Sequence, residues 1–477
     1  LQKKFAYDFW THLNPYTGLA HKDDPVFVMG EIVNESTLFS CSITVEPYAS
    51  EFRALYHRWL GAKGYADDAF ACDVDSPDDA HLTEFKIALQ EQYYDEMIGF
   101  LREIGVKIPI SGTNWTICAA NTKTQRRGDF LDSHTYFYDW RWGSHDCMNR
   151  RITEVADSGL SVLAAGSVPD KPFFVSEWDV PWPNAYRAES PLLYAAAGAL
   201  QGWSGYAIHT YSYMAHLDRM DTLGKESSSG AIGGVAYREG IFSAWNDPAK
   251  FGLFYQAALI TRRGDVRVSD TLTPVARDIQ SARGSAEAFA SMAEKCRTAS
   301  SFDGTGVPED VRIIPEDAGE VRSDTGELYR SWEKGYGTID TPRTQAAYGL
   351  LAKQGAIELG AMRVEARTDF AVVALSSLTD AAISESDDLL LTTVGRAENT
   401  GARFTGEHMD EYGRAPILAE VIEARVTIRT ARRDLRVWAV NAEGLYHGAI
   451  PAEFDGEGMH FTVGEVFPSV YYLITAE

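Results

Sequence analysis

Pro25-Val26-Phe27-Val28-Met29-Gly30-Glu31-Ile32-Val33-Asn34-Glu35 is the stretch on which the fold turns. Its near-continuous apolar character predicts a strand over 25–33 buried on both faces, as in parallel sheets covered by helices. The run ends on an acid. A second run, Lys171-Pro172-Phe173-Phe174-Val175-Ser176, also ends on an acid, Glu177. Barrel enzymes carry their chemistry at the C-terminal ends of such strands. Two carboxylates placed there suit cleavage of a glycosidic bond. One protonates the leaving oxygen, and the other attacks or stabilises the sugar carbon.

Outward from these two runs, strands alternate with helices. Phe5, Phe9, Trp10 and Leu13 have helical spacing and precede the turn Asn14-Pro15-Tyr16-Thr17-Gly18. A short helix is expected near 50–62 and a long amphipathic one over 82–104, which Gly105 would stop. Strands are expected at 106–112, 130–136, 172–178 and 205–211, with helices within 149–165 and at 190–200 and 248–260. Five strand–helix units in a row predict a parallel sheet with covering helices. After about residue 300 short strands take over, at 362–376, 387–394, 417–430, 434–441, 459–465 and 469–475. That predicts a β-sandwich. The expected division is 1–300 catalytic domain, 301–345 linker and return segment, and 346–477 sandwich.

The 477 residues are too many for one ordinary domain. A net charge of −24 disfavours nucleic acid and anionic membrane as partners and suits a neutral substrate. No run of about 18 apolar residues predicts a membrane span. Cys41, Cys72, Cys118, Cys147 and Cys296 have no C-x-x-C spacing, so neither a disulfide framework nor a structural zinc site is expected. Asp73, Asp75, Asp78 and Asp79 match no calcium-loop spacing and are expected to be a solvated loop. No metal and no cofactor is expected. No signal peptide is read at the start, and the compartment stays open.

Around the two acids, Asn34 is expected to hold a sugar 2-hydroxyl beside the acid/base Glu35. Trp178, directly after the expected nucleophile Glu177, and Trp203, before the last strand, offer flat surfaces for sugar rings; burial in the core is the competing role of each. His134 and Tyr136 lie two apart on one strand and share a face. The tyrosine is expected to orient Glu177, and the histidine to bind a hydroxyl. Asn114 and Trp115 end the preceding strand and complete the expected substrate contacts.

Ile32-Val33-Asn34-Glu35 resembles the fourth-strand Asn-Glu of clan A glycoside hydrolases. Val175-Ser176-Glu177-Trp178 resembles the seventh-strand nucleophile motif, and His134-Thr135-Tyr136 is similar to the sixth-strand His-x-Tyr of the family 5 cellulases. Asp340-Thr341-Pro342-Arg343-Thr344-Gln345 is similar to the segment that opens a β-rich tail in related enzymes. The resemblance covers about residues 5–350. It implies a (β/α)8 TIM barrel and a retaining mechanism on β-linked glucosides, galactosides or β-glucan oligosaccharides. Glu35 would be the acid/base, requiring a raised resting pKa, and Glu177 the covalent nucleophile.

Only 24 residues precede the first strand, whereas three βα units of about 30 residues each should. The barrel is therefore expected to be incomplete, with strands four to eight present. The chain is either a piece of a longer enzyme or a natural partial barrel. Two open sheet edges would be costly, so a homo-oligomer, most simply a dimer, is expected to cover them. Two other classes compete: a degenerate barrel that binds carbohydrate without hydrolysis, and a structural module of a larger assembly.

Overall fold

The computed structural model describes residues 1–477 except 41, 66–79, 117, 138–148, 212–241, 243, 281–286, 412, 442 and 477. The acidic cluster at 73–79, Cys41, Cys72, Cys147 and most of the loop at 212–247 lie outside the described residues. Cys118 and Cys296 are buried thiols.

The chain is mixed α/β, with a β-rich C-terminal region. Five strands run parallel in chain order: β1 (Gly30–Glu31), β2 (Ile110–Ser111), β3 (Leu131–Tyr136), β4 (Phe173–Asp179) and β5 (Gly205–Ile208). β1 pairs with β2, β3 with β4 and β4 with β5. The Asp129 amide donates to the Ile110 carbonyl over 2.8 Å and the His134 amide to the Asn114 carbonyl over 3.1 Å, tying the two groups together. Among the described residues these strands form an open series and close no barrel. The expected strand over 25–33 shrinks to two residues. Val26 and Val28 are exposed, and among the described residues the amides of Gly30, Ile32 and Val33 bond to the carbonyls of Pro109, Ser111 and Gly112. An apolar run becomes a buried strand only where both faces and both edges are covered.

The helices fall close to their expected places: α1 (Gln2–Trp10), α2 (Tyr48–Lys63), α3 (Ala80–Glu103), α4 (Ala119–Gln125, not anticipated), α5 (Leu160–Gly166), α6 (Ser190–Gln201), α7 (Pro248–Phe251) and α8 (Phe254–Arg263). α6 carries Pro191 in its first turn, where no intrahelical N–H is needed. It stops at Gly202, whose left-handed backbone costs glycine little. Among the described residues no helix is long and apolar enough to cross a membrane.

A second parallel group, β6 (Leu272–Ala276), β7 (Arg297–Ser301) and β8 (Val307–Pro308), was not anticipated. β7 reads Arg-Thr-Ala-Ser-Ser, without apolar patterning. Hydrogen bonds satisfy its buried polar groups instead, as where the Ser300 hydroxyl donates to the Ala165 carbonyl over 2.7 Å.

The expected linker at 301–345 is corrected by the structure. β9 (Glu320–Arg322), β10 (Leu328–Ser331) and β11 (Tyr336–Asp340) join β12 (Thr344–Gly349) in a nine-stranded antiparallel sheet. These strands are short and polar, so their pairing is written in turn chemistry more than in hydrophobic pattern. A five-stranded sheet faces the nine-stranded one. The strand Ala371–Ser377, central to the large sheet, is buried throughout. Phe370, Val372 and Ala374 join the core that includes Leu192, Leu193 and Ile260 of α6 and α8. Ala371, Val373 and Leu375 join the core between the two sheets. Strand alternation thus makes one sheet the shared wall of two cores.

Buried ion pairs tie the same regions together. Arg330 of β10 donates to Glu294 through Nε and Nη2, both over 2.7 Å, and to the carbonyls of Ile152, Val155 and Ala156. Arg187, before α6, is paired with Asp247 and donates to the Ala397 carbonyl over 2.6 Å.

Gly349 ends β12 with φ 112°, and a Cβ there would lie 2.5 Å from the Gly335 carbonyl oxygen and 2.8 Å from Tyr336 Cα. Backbone does not yield as a side chain does. Gly349→Ala is expected to destabilise the protein by about 2–3 kcal/mol, read as a lower urea midpoint at unchanged slope.

Candidate active site

The site forms at the C-terminal ends of β1–β4. β3 and β4 are in register with His134 opposite Glu177 and Tyr136 opposite Asp179. The pairing shifts between Asp132 and His134 and between Val175 and Trp178. These irregularities let consecutive residues Ser176 and Glu177 both reach His134. Ser176 Oγ lies 2.8 Å from His134 Nε2, and Glu177 Oε2 lies 3.5 Å from His134 Nδ1.

Glu35 arrives from the other side. Its backbone has φ 44°, in the left-handed region, at a cost on the order of 1–2 kcal/mol for a residue with a Cβ. Asn114 holds this turn. Its Oδ1 accepts from the Glu35 amide, and its Nδ2 donates to Asn34 Oδ1 and Glu31 Oε2, each over 2.8 Å. Glu35 Oε1 then lies 2.8 Å from His134 Nδ1. One carboxylate oxygen from each of Glu35 and Glu177 and one ring nitrogen of His134 fall within 4.8 Å of one another. A divalent cation could use the same three atoms only by breaking the His134–Glu35 bond, because Nδ1 is the nitrogen facing both acids and Nε2 faces Ser176.

The Tyr136 hydroxyl donates to Glu177 Oε2. Burial, and then the neighbouring Glu177, hold the Tyr136 pKa well above the ordinary phenol range, so it stays a donor. His209 Nδ1 lies 3.9 Å from the same Glu177 oxygen. Phe242 packs against the rings of Tyr136 and His209, at 5.5 and 5.0 Å between centroids.

Of the expected contacts, Asn34, Asn114, His134 and Tyr136 converge on the two acids, with Asn114 in a structural role. Trp115 follows at the same rim and is partly exposed. Two expectations are corrected. Trp178 is buried and stacks on Tyr194 of α6 at 4.8 Å, since a strand residue next to an inward-facing one points outward. Trp203 precedes β5 and packs on Phe173 at the opposite, N-terminal end of the strands. Either indole serves the core rather than a sugar.

Asp132, Ser176, Glu31 and His209 were not singled out. Asp132 carried a signal: with His134 and Tyr136 it completes an alternating series. Burial is the main cause raising Asp132 to about 7, opposed by hydrogen bonds from Ser176. Glu31 is pushed up to about 9, by burial first and then by Asp132, Glu177 and Glu35.

A carboxyl held above its unfolded value favours folding while protonated. The Glu31 contribution is complete below about 4.5 and is lost as pH rises through about 9. Glu31→Gln keeps an acceptor for Asn114 and cannot ionise. Wild type is therefore expected to lose melting temperature between pH 5 and 9, and Glu31→Gln to lose less, with a difference on the order of a few kcal/mol at the alkaline end. Calorimetry across that range checks it.

No protein-family model matches the chain, and no curated protein sequence matches it significantly.

Proposed function

We propose that the chain is a retaining β-glycoside hydrolase working by two-glutamate double displacement on β-linked glucosides, galactosides or β-glucan oligosaccharides. One observation carries the reading: two carboxylates at the C-terminal ends of parallel strands have oxygens within 4.8 Å of each other and sit in unlike surroundings. Retaining enzymes place their carboxyls about 5–5.5 Å apart, too close for an intervening water. Glu177, held by Tyr136 and near His134 and His209, attacks the anomeric carbon and forms a glycosyl ester. Glu35, more exposed and bonded to His134, protonates the departing oxygen and then takes a proton from the water that cleaves the ester. Asn34 presents its amide to the sugar's 2-hydroxyl.

In this reading β1–β5 are the fourth to eighth strands of an eight-stranded barrel. Among the described residues β1 pairs on one side only. A cleft of about 390 Å³ beside it is lined by Phe5, Trp10, Glu31, Ile32, Tyr93 and Met97. A second copy of the chain covers that edge, and light scattering at twice the chain mass is the expected result.

The function is tested with a panel of aryl β-glycosides, following the first-formed sugar by proton NMR. Turnover with the β-anomer appearing first is expected. The α-anomer first would overturn the retaining mechanism. Binding without turnover across the panel would leave a carbohydrate-binding module instead.

A further inference from the structure

We propose that Asp132 and Ser176 are positioning residues of this reaction, acting on Glu35 through the imidazole of His134. The proposal rests on the reading of Glu35 as the acid/base. Four groups stand in line. The Ser176 amide donates to Asp132 Oδ1 over 2.9 Å, which seats the serine against the aspartate. Ser176 Oγ lies 2.8 Å from His134 Nε2, and the other ring nitrogen lies 2.8 Å from Glu35 Oε1. Asp132 and His134 are buried, whereas the Glu35 side chain is 39% exposed. The rigid end of the line therefore orients the mobile end.

The chemistry follows from counting protons. Nδ1 faces two carboxyl groups, Glu35 at 2.8 Å and Glu177 at 3.5 Å. A bare lone pair there would repel the Glu177 carboxylate, and an Nδ1–H can donate to Glu35 Oε1 whether or not Oε2 carries the acid proton, so Nδ1 carries the hydrogen. Which nitrogen of an imidazole is protonated is set by the partner of the other one. With a neutral ring, the Ser176 hydroxyl donates to Nε2. With a charged ring, Nε2 donates to Ser176 Oγ, and the hydroxyl turns its hydrogen to Asp132. Both states keep Nδ1–H on Glu35 and differ by one proton, which the charged ring binds at Nε2. The donor favours the Glu35 carboxylate that general-acid transfer leaves behind, and it fixes the carboxyl for the return transfer from water.

The test uses Ser176→Ala, Ser176→Thr and Asp132→Asn in the full chain. Two β-glycosides of one sugar are compared: the 2,4-dinitrophenyl glycoside, whose phenolate departs unprotonated, and the phenyl glycoside, whose oxygen needs a proton. Ser176→Ala is expected to lower kcat/KM on the phenyl glycoside at least about tenfold, a fraction of the roughly 10²–10⁴-fold that general acid catalysis supplies. The dinitrophenyl value should stay within about twofold. Ser176→Thr, which keeps the hydroxyl, should recover the phenyl value, and Asp132→Asn should show the selective loss. Equal losses on both glycosides would mean a packing role alone and would overturn the proposal.

A second readout needs no turnover. ¹⁵N spectra of the His134 ring should show Nδ1 protonated in wild type and a shifted Nε2 resonance in Ser176→Ala, where the hydroxyl bonded to Nε2 is lost. Wild type inert on both glycosides would overturn the glycosidase reading while these spectra still decide the relay. Unchanged ring signals in Ser176→Ala or Asp132→Asn would overturn the relay whatever the activity.

Discussion

Glu177→Gln is expected to lower kcat on an aryl β-glucoside or galactoside by on the order of 10⁴-fold or more, with the circular dichroism spectrum unchanged. An amide has no charge with which to attack an anomeric carbon, so the covalent route closes. The fold should tolerate the change, because the Gln carbonyl still accepts from Tyr136 and the site is open to water on one side. The matching Glu35→Gln variant should behave differently. It should retain most of its kcat/KM on the dinitrophenyl glycoside and lose it on the phenyl glycoside. Equal rates in wild type and Glu177→Gln would remove the nucleophile from the mechanism, and equal behaviour of the two variants would remove the division of labour.

The largest expected loss of stability comes from Arg330→Ala. The Arg330 guanidinium is fully buried, with two bonds to Glu294 and three to backbone carbonyls. Truncation leaves the Glu294 charge and three carbonyl oxygens without those donors. Breaking a buried pair from one side costs about 3–5 kcal/mol. Replacing both partners, as in Arg330→Met with Glu294→Leu, is expected to cost much less, since no lone charge is left inside. Urea midpoints of wild type, single and double variants measure the difference. A single variant within about 1 kcal/mol of wild type would show that water reaches Glu294.

The order of the parallel strands was legible in the sequence. The runs that lead to Glu35 and Glu177 are apolar and finish on an acid, and the intervening helices have helical spacing. The His134–Tyr136 pair was legible through the two-residue repeat, and the same repeat pointed to Asp132. Trp178 misled because chain adjacency to Glu177 suggests a shared face; the register shift grants that to Ser176, whereas Trp178 turns into the packing against Tyr194. Trp203 misled because an aromatic near a strand was not assigned to one end of it. Asn114 was noticed, but its role was not. Its bonds run to residues about 80 positions away, and no local pattern encodes such a partner. The strands at 320–340 were missed because their sheet is held by partners that follow in the chain.

The strand Ala371–Ser377 shows its odd and even side chains to two different interiors. Cutting the polypeptide near residue 300 would strip α6 and α8 of their cover and present their oily flanks to water, so the N-terminal portion made alone should precipitate. A methyl removed at Val372 should loosen the helical layer and one removed at Val373 the β-layer, although the two positions are neighbours on the chain.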